Sequence, residues 1–278
     1  MIQFTKLHGL GNDYLFVDCL ERAVADPESL SVAMSDRHCG VGADGIILVL
    51  PSDQCDFRMR MFNADGSEAE TCGNGIRCFA KYVYEGGMTD KLAFSIDTLA
   101  GPNEVELSVE DGRVLSVRSD MGEPKLMRAE IPMTGPQGKV IDEPIDVDGE
   151  TYRVTCVSMG NPHAVFLVDD VESVPLAEIG PKIEHHPKFP NRTNVEVVQV
   201  IDRQNIKVRV WERGSGIVLA CGSGTCASVV ASVLNGRVDR NVSAHLALGV
   251  LKIEWREDNR VIQEGPATRV FDGMWPEN

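Results

Sequence analysis

Long hydrophobic runs are missing from this chain: no apolar stretch approaches the roughly 20 residues that a membrane-spanning helix needs. The opening residues, MIQFTKLHG, lack the basic and apolar regions of a secretory signal. The eight cysteines (19, 39, 55, 72, 78, 156, 221 and 226) are therefore expected to be reduced thiols of a cytoplasmic protein rather than a disulfide framework. C-x-x-C spacing is absent as well. Cys72–Cys78 and Cys221–Cys226 are too widely spaced for a zinc knuckle, so no metal is expected. Basic residues are scarce, with Lys and Arg at 27 against 42 Asp and Glu, a net charge of -15. A duplex or an anionic membrane would repel that surface, which argues against both as partners.

What is present is ordinary for a globular protein: 43% apolar and 25% charged residues, which excludes disorder. At 278 residues the chain exceeds one typical domain and can bury roughly 75% of its unfolded surface without staples.

Shifting the chain against itself by 149 residues, the step from Asn12 to Asn161, superimposes three segments. Gly11-Asn-Asp-Tyr-Leu-Phe-Val17 falls on Gly160-Asn-Pro-His-Ala-Val-Phe166. Asp56-Phe-Arg-Met-Arg-Met-Phe62 falls on Asn205-Ile-Lys-Val-Arg-Val-Trp211, with the same period-2 alternation, and Cys72-Gly-Asn-Gly75 falls on Cys221-Gly-Ser-Gly224. A period this long marks a duplicated domain rather than a solenoid.

Strands are expected at Ile2–Leu7, Tyr14–Asp18, Ile46–Leu50 and Phe57–Phe62, with a hairpin of Glu104–Glu110 and Arg113–Arg118 about Asp111-Gly112. In the second half they fall at Tyr152–Val157, Ala164–Val168, Val195–Ile201 and Ile206–Trp211, with a hairpin of Val250–Arg256 and Arg260–Gln263. Each half has one clear helix, beginning at the repeated Cys-Gly-x-Gly. Ile76, Phe79, Ala80, Val83 and Tyr84 form one apolar face; Cys226, Val229, Val230, Val233 and Leu234 form the other. Gly86 and Gly236 are expected to stop these helices. The fold class is α+β: two pseudo-symmetric domains, each a curled mixed or antiparallel sheet wrapped around a central helix. The halves are expected at 1–118 and 119–263, and the tail 264–278 is a candidate to rejoin the first.

Cys72 and Cys221 stand where each helix begins, beside unpaired N–H groups and the positive dipole end. That setting is expected to lower a thiol pKa and make a thiolate accessible. The Gly-x-Gly that follows lets an anion reach the same N–H groups. Two such sites related by approximate two-fold symmetry would set two thiols across an interdomain cleft. One could then remove an α-proton while the other returns a proton to the opposite face, as a racemase or epimerase requires. The growing negative charge would be stabilised by both helix dipoles, and neither an aldehyde cofactor nor a metal is needed. A lone cysteine at such a place is ordinarily a small buried hydrophobe. That reading holds for Cys19, Cys39, Cys55, Cys78, Cys156 and Cys226, and weakens for the matched pair.

Asn63 and Glu212 also match, each nine residues before its cysteine, as do Asn12 and Asn161. Arg213 could clamp a carboxylate and Glu212 an ammonium, suggesting a substrate charged at its far end. His163 could bias a nearby thiol. Gly40-Val-Gly-Ala-Asp-Gly45 spells G-x-G-x-x-G but precedes a strand, so it is not a dinucleotide turn.

Gly9-Leu-Gly-Asn-Asp-Tyr14, Asp36-Arg-His-Cys-Gly-Val-Gly-Ala-Asp-Gly45, Phe62-Asn-Ala-Asp-Gly-Ser67, Cys72-Gly-Asn-Gly-Ile-Arg77, Gly160-Asn-Pro-His163, Trp211-Glu-Arg-Gly214 and Ala220-Cys-Gly-Ser-Gly224 together closely resemble the diaminopimelate epimerases. The resemblance implies a cofactor-independent, cytoplasmic homodimer that interconverts LL- and meso-2,6-diaminopimelate for lysine and peptidoglycan synthesis. It implies that Cys72 and Cys221 are the acid/base thiols, and that Gly73, Asn74, Gly222 and Ser223 bind the reacting carboxylate. Asn12, Asn63, Asn161, Asn194, Glu212 and Arg213 would hold the substrate, with His163 and Glu212 tuning the thiols. Ile217-Val218 departs from the family's usual Glu-Thr, Ser223 from its frequent Thr, and Gly45 from a Gln found in some members. The rivals are an epimerase of the same architecture acting on proline or hydroxyproline, and a non-catalytic amino-acid-binding protein.

Overall fold

The computed structural model describes residues 1–70 and 72–277; Thr71 and Asn278 lie outside the described residues. The chain divides into two compact units, Met1–Asp120 with Glu264–Asn278, and Met121–Gln263.

In the first unit the elements run β1 (Ile2–Gly9), β2 (Asn12–Asp18), α1 (Pro27–Ser35), β3 (Gly45–Leu50), β4 (Phe57–Asn63), β5 (Glu68–Ala69), α2 (Gly73–Glu85), β6 (Ala93–Thr98), β7 (Gly101–Glu110) and β8 (Arg113–Asp120). β1 is antiparallel to β2, β2 parallel to β3, β3 antiparallel to β4, β4 parallel to β6, and β6, β7 and β8 form an antiparallel meander. The β7–β8 hairpin turns at Asp111 and Gly112, both with positive φ.

In the second unit they run β9 (Glu143–Val147), β10 (Glu150–Ser158), β11 (Pro162–Val168), α3 (Leu176–Glu184), β12 (Asn194–Asp202), β13 (Asn205–Glu212), β14 (Gly216–Val218), α4 (Gly222–Leu234), β15 (Asn241–Leu246), β16 (Gly249–Trp255) and β17 (Val261–Gly265), the last ending within the first unit's range. The ladder repeats: β10 antiparallel to β11, β11 parallel to β12, β12 antiparallel to β13, β13 parallel to β15, and β15 antiparallel to β16. Even the register repeats, since Tyr14 opposes Gly45 as His163 opposes Asn194. β18 (Thr268–Trp275) pairs antiparallel with β1. The architecture is α+β, with the same mixed ladder built twice.

Among the described residues each unit has two α-helices, not one, which corrects the sequence expectation. α1 opens at Asp26, whose carboxylate accepts from the Ser29 N–H, with Pro27 in the first turn. α3 has Gly180 and Pro181 in its interior, which hides it from a periodicity reading. The extra helices explain the apolar runs of the central strands. One face of β2 and β3 packs Phe16 and Ile47 against Ile76, Phe79 and Val83 of α2, and the other packs Leu15, Val17, Ile46 and Leu48 against Met34 of α1. A strand covered on both faces has no polar alternation to show.

The first helix stop also shifts by a residue. Gly86 caps α2 with a right-handed φ of -78°, and Gly87 supplies the left-handed turn at +72°; its counterpart Gly236 does so after α4 at +68°.

At Gly45 the neighbouring strand is so close that an added Cβ would collide with the Phe62 carbonyl oxygen. Gly45→Ala is expected to cost about 1–3 kcal/mol, lowering the thermal midpoint by several degrees. An unchanged midpoint would show that β3 and β4 have room to separate.

Candidate active site

The repeated Cys-Gly-x-Gly turns make two half-sites of one construction. Cys72 has extended backbone (φ -147°, ψ 118°) and its Sγ accepts from the Gly75 N–H at 3.5 Å; Cys221 (φ -129°, ψ 116°) accepts from the Gly224 N–H at 3.4 Å. Each thiol is thus the N-cap of its helix, in the role that Ser or Asp usually takes. The first-turn N–H groups that no residue upstream can satisfy sit around the sulfur.

In the first half-site Cys72 is half-buried. Its thiol donates to Asn12 Oδ1 at 3.4 Å, and the Tyr14 hydroxyl lies 3.5 Å from its sulfur as donor. Asn12 Oδ1 also accepts from Asn74 Nδ2 at 3.2 Å, while Asn12 Nδ2 donates to Asp44 at 2.7 Å. Burial, then the adjacent Cys72 thiol, pushes the Tyr14 hydroxyl well above its ordinary pKa and so keeps it a donor. Arg77, in the first turns of α2, is fully buried. Its guanidinium folds back to Gly73 O at 3.2 Å and Asn74 Oδ1 at 2.7 Å, and Nε reaches Pro266 O at 3.2 Å. A formal positive charge is thereby added beneath the helix N-terminus, reinforcing its attraction for an anion. Asn63 gives its amide to Ser67 Oγ at 3.0 Å, in the turn after β4.

The second half-site is more acidic and more enclosed. Cys221 is 7% exposed, with the Ser223 hydroxyl 3.5 Å from its sulfur and Gln263 donating to Gly222 O at 3.0 Å. His163 is buried, with Nε2 3.0 Å from Asn161 Oδ1 and Nδ1 2.7 Å from Glu196 Oε1. The expectation of a lowered thiol pKa is corrected here. Burial first, then the Glu212 and Glu196 carboxylates, raises the Cys221 thiol well above its usual value, outweighing the Ser223 hydroxyl and the Gly224 N–H.

The loop after β13 carries the remaining candidates. Asn194 is buried, donates to Pro162 O at 2.9 Å and accepts from the Arg213 N–H at 2.9 Å. Its amide therefore positions this loop instead of projecting outward. The Arg213 side chain is exposed, with Nη1 3.0 Å from Asn191 O, and Glu212 ends β13 half-buried. Buried Glu184 underpins the same loop, accepting from Trp211 Nε1 at 2.7 Å and from the Gly214 N–H at 3.1 Å. Ile217, in β14, is exposed. Among the described residues no group of three His, Cys, Asp or Glu side chains could hold a metal, and no helix is long and apolar enough to cross a membrane.

Sequence reasoning passed over Tyr14, Arg77, Glu184 and Glu196. Two of these had a signal: Tyr14 is the 149-residue counterpart of His163, and Glu196 is a lone charge in the apolar run Val195–Ile201.

A family model described as diaminopimelate epimerase matches residues 4–127 and 155–270. Among curated proteins, the diaminopimelate epimerase of Pelotomaculum thermopropionicum is 56% identical over 99% of both chains. That of Acetivibrio thermocellus is 54% identical over 98% of both, and that of Methanococcus maripaludis 54% over 98% of this chain and 99% of its own. Among solved structures, a PhzF-family phenazine biosynthesis protein of Bacillus anthracis superposes with a TM-score of 0.71 at 16% identity, covering 98% of both chains. A probable proline racemase of Agrobacterium radiobacter does so at 0.71 and 14% identity, covering all of this chain and 94% of its own. At such identities these structures speak for the fold alone.

Arg77→Met would leave the Gly73, Asn74 and Pro266 acceptors without that donor inside the protein. A loss of about 3 kcal/mol of unfolding free energy is expected by urea titration. A midpoint equal to that of the unsubstituted protein would mean that water replaces the guanidinium.

Proposed function

The chain belongs to the diaminopimelate epimerase family, and from that premise we propose that Cys72 and Cys221 are its two acid/base groups. The enzyme is an amino-acid epimerase independent of pyridoxal phosphate, interconverting LL- and meso-2,6-diaminopimelate. The observation that carries the two-thiol reading is the cysteine N-cap made twice, with the same backbone geometry, on the two repeats.

In this reading one cysteine, as thiolate, takes the α-proton, and the C–H electron pair stays on the substrate as an α-carbanion conjugated with the carboxylate. The other cysteine, as thiol, gives its proton to the opposite face and becomes the thiolate. The reverse reaction exchanges the roles. The backbone N–H groups of Gly73, Asn74, Gly222 and Ser223 would hold the carboxylate, where both helix dipoles oppose the charge that develops. Asn12, Asn63, Asn161, Glu212 and Arg213 would contact the substrate, the last two reading the ammonium and carboxylate of its distal centre. Asn194 would act by fixing the backbone of Arg213. The scheme calls for no aldehyde cofactor or metal, and it needs reduced thiols, as in a cytoplasmic enzyme.

Reduced protein given LL-diaminopimelate in D₂O is expected to exchange the α-proton and yield deuterated meso product by NMR, and to leave proline unchanged. Cys72→Ala and Cys221→Ala should each lower turnover by roughly 10²–10⁴-fold while the protein stays folded. Full activity in both variants would sink the two-thiol scheme; racemised proline would reassign the substrate.

We also propose that the chain acts as a homodimer. β18 leaves Val270, Phe271 and Met274 exposed, apolar side chains suited to burial against a second copy. Light scattering should give twice the 30.4 kDa chain mass, and Val270→Asp with Met274→Asp should halve it. A dimer that survives both substitutions places its interface elsewhere.

A further inference from the structure

The half-sites differ at one buried position. Ile47 on β3 and Glu196 on β12 are 149-residue counterparts, and each lies under the second glycine of its Cys-Gly-x-Gly turn. A Cβ built on Gly75 meets Ile47 Cδ1 at 3.0 Å; one built on Gly224 meets Glu196 Oε1 at 2.5 Å, with Cys221 Sγ at 3.3 Å from the same point. A carboxylate thus occupies, beside Cys221, the space that an aliphatic chain fills beside Cys72. Glu196 is wholly buried, and its Oε2 has no hydrogen-bond partner among the described residues.

The hydrogen bonds fix what this group can do. Asn161 Oδ1 can only accept, so His163 Nε2 carries a hydrogen. The 2.7 Å contact of Nδ1 with Glu196 Oε1 therefore holds one proton between two acceptors, as neutral acid and imidazole or as carboxylate and imidazolium. Either form is neutral overall. Once that proton is lost, a net negative charge stands beside Cys221. The other titratable groups facing this cluster are Glu212 on β13 and Cys156 on β10. Burial first, with Glu212 adding to it, raises the Glu196 carboxyl against the pull of His163. On the other side, Tyr14 replaces His163 and can donate to a Cys72 thiolate.

We propose that Glu196 is a positioning residue that, through its dyad with His163, keeps the transferable proton on Cys221 in the substrate-free enzyme and leaves Cys72 to start as the base. The inference rests on the two-thiol reading and adds to it a fixed inequality between the thiols.

Its test is the pH dependence of iodoacetamide alkylation in reduced, substrate-free enzyme, each cysteine followed separately by peptide mass spectrometry. At about pH 8, Glu196→Gln should alkylate Cys221 roughly tenfold faster, because no carboxylate forms to oppose the thiolate, with the Cys72 rate unchanged. Glu196→Asp should restore the slow rate. His163→Gln should also speed alkylation of Cys221, because without the pull of His163 the buried Glu196 carboxyl keeps its proton to higher pH. The pH optimum of turnover should fall in Glu196→Gln with KM little changed. An unshifted Cys221 profile in Glu196→Gln, or a rate in Glu196→Asp as fast as in Glu196→Gln, would overturn the inference, the latter pointing to packing alone. Full turnover in Cys221→Ala would instead overturn the two-thiol reading, whichever way the alkylation profile falls.

Discussion

A sulfur atom capping a helix is the interaction on which both half-sites depend. Cys72 and Cys221 each accept a backbone N–H three residues on, which settles the sulfur against the positive end of α2 or α4. The same first-turn N–H groups then face any carboxylate that arrives there. In the proposed function, one local arrangement thus supplies the acid/base atom and the anion cradle together. Glycine at the second position of the Gly-x-Gly follows from it, because Ile47 or Glu196 approaches too closely for a side chain.

Holding that turn in place takes buried polar groups. Arg77 ties the first turn of α2, at Gly73 and Asn74, to Pro266, so the returning C-terminal segment helps hold the Cys72 half-site. Glu184 and Asn194 do the equivalent for the loop carrying Glu212 and Arg213, through Trp211, Gly214 and the Arg213 backbone. These groups are satisfied by specific partners, which gives the loops a defined geometry at the desolvation cost of burying charge.

Duplication made the halves alike, and substitution at matched positions made them differ. Tyr14 against His163, Ile47 against Glu196 and Asn63 against Glu212 turn three positions with one titratable group into three with a titratable group each. Burial and those carboxylates reverse the effect expected of a helix N-terminus on Cys221. Two thiols in equivalent backbone settings need not have equal proton affinities.

Much of this was legible in the chain alone. The repeat, the cysteine-capped helices, the principal strands and the family follow from spacing, periodicity and motifs, because each depends on residues close in sequence or on one constant offset. The short helices were hidden: α3 by Gly180 and Pro181, α1 by its nine residues. Long-range partnership was equally hidden. No local pattern says that Glu196 meets His163, that Arg77 reaches Pro266, or that Asn194 supports a loop instead of pointing outward. Sequence determined which groups sit at the helix ends, because helix geometry is local. Tertiary structure alone decided their charge, because a pKa is set by burial and by neighbours brought from distant strands.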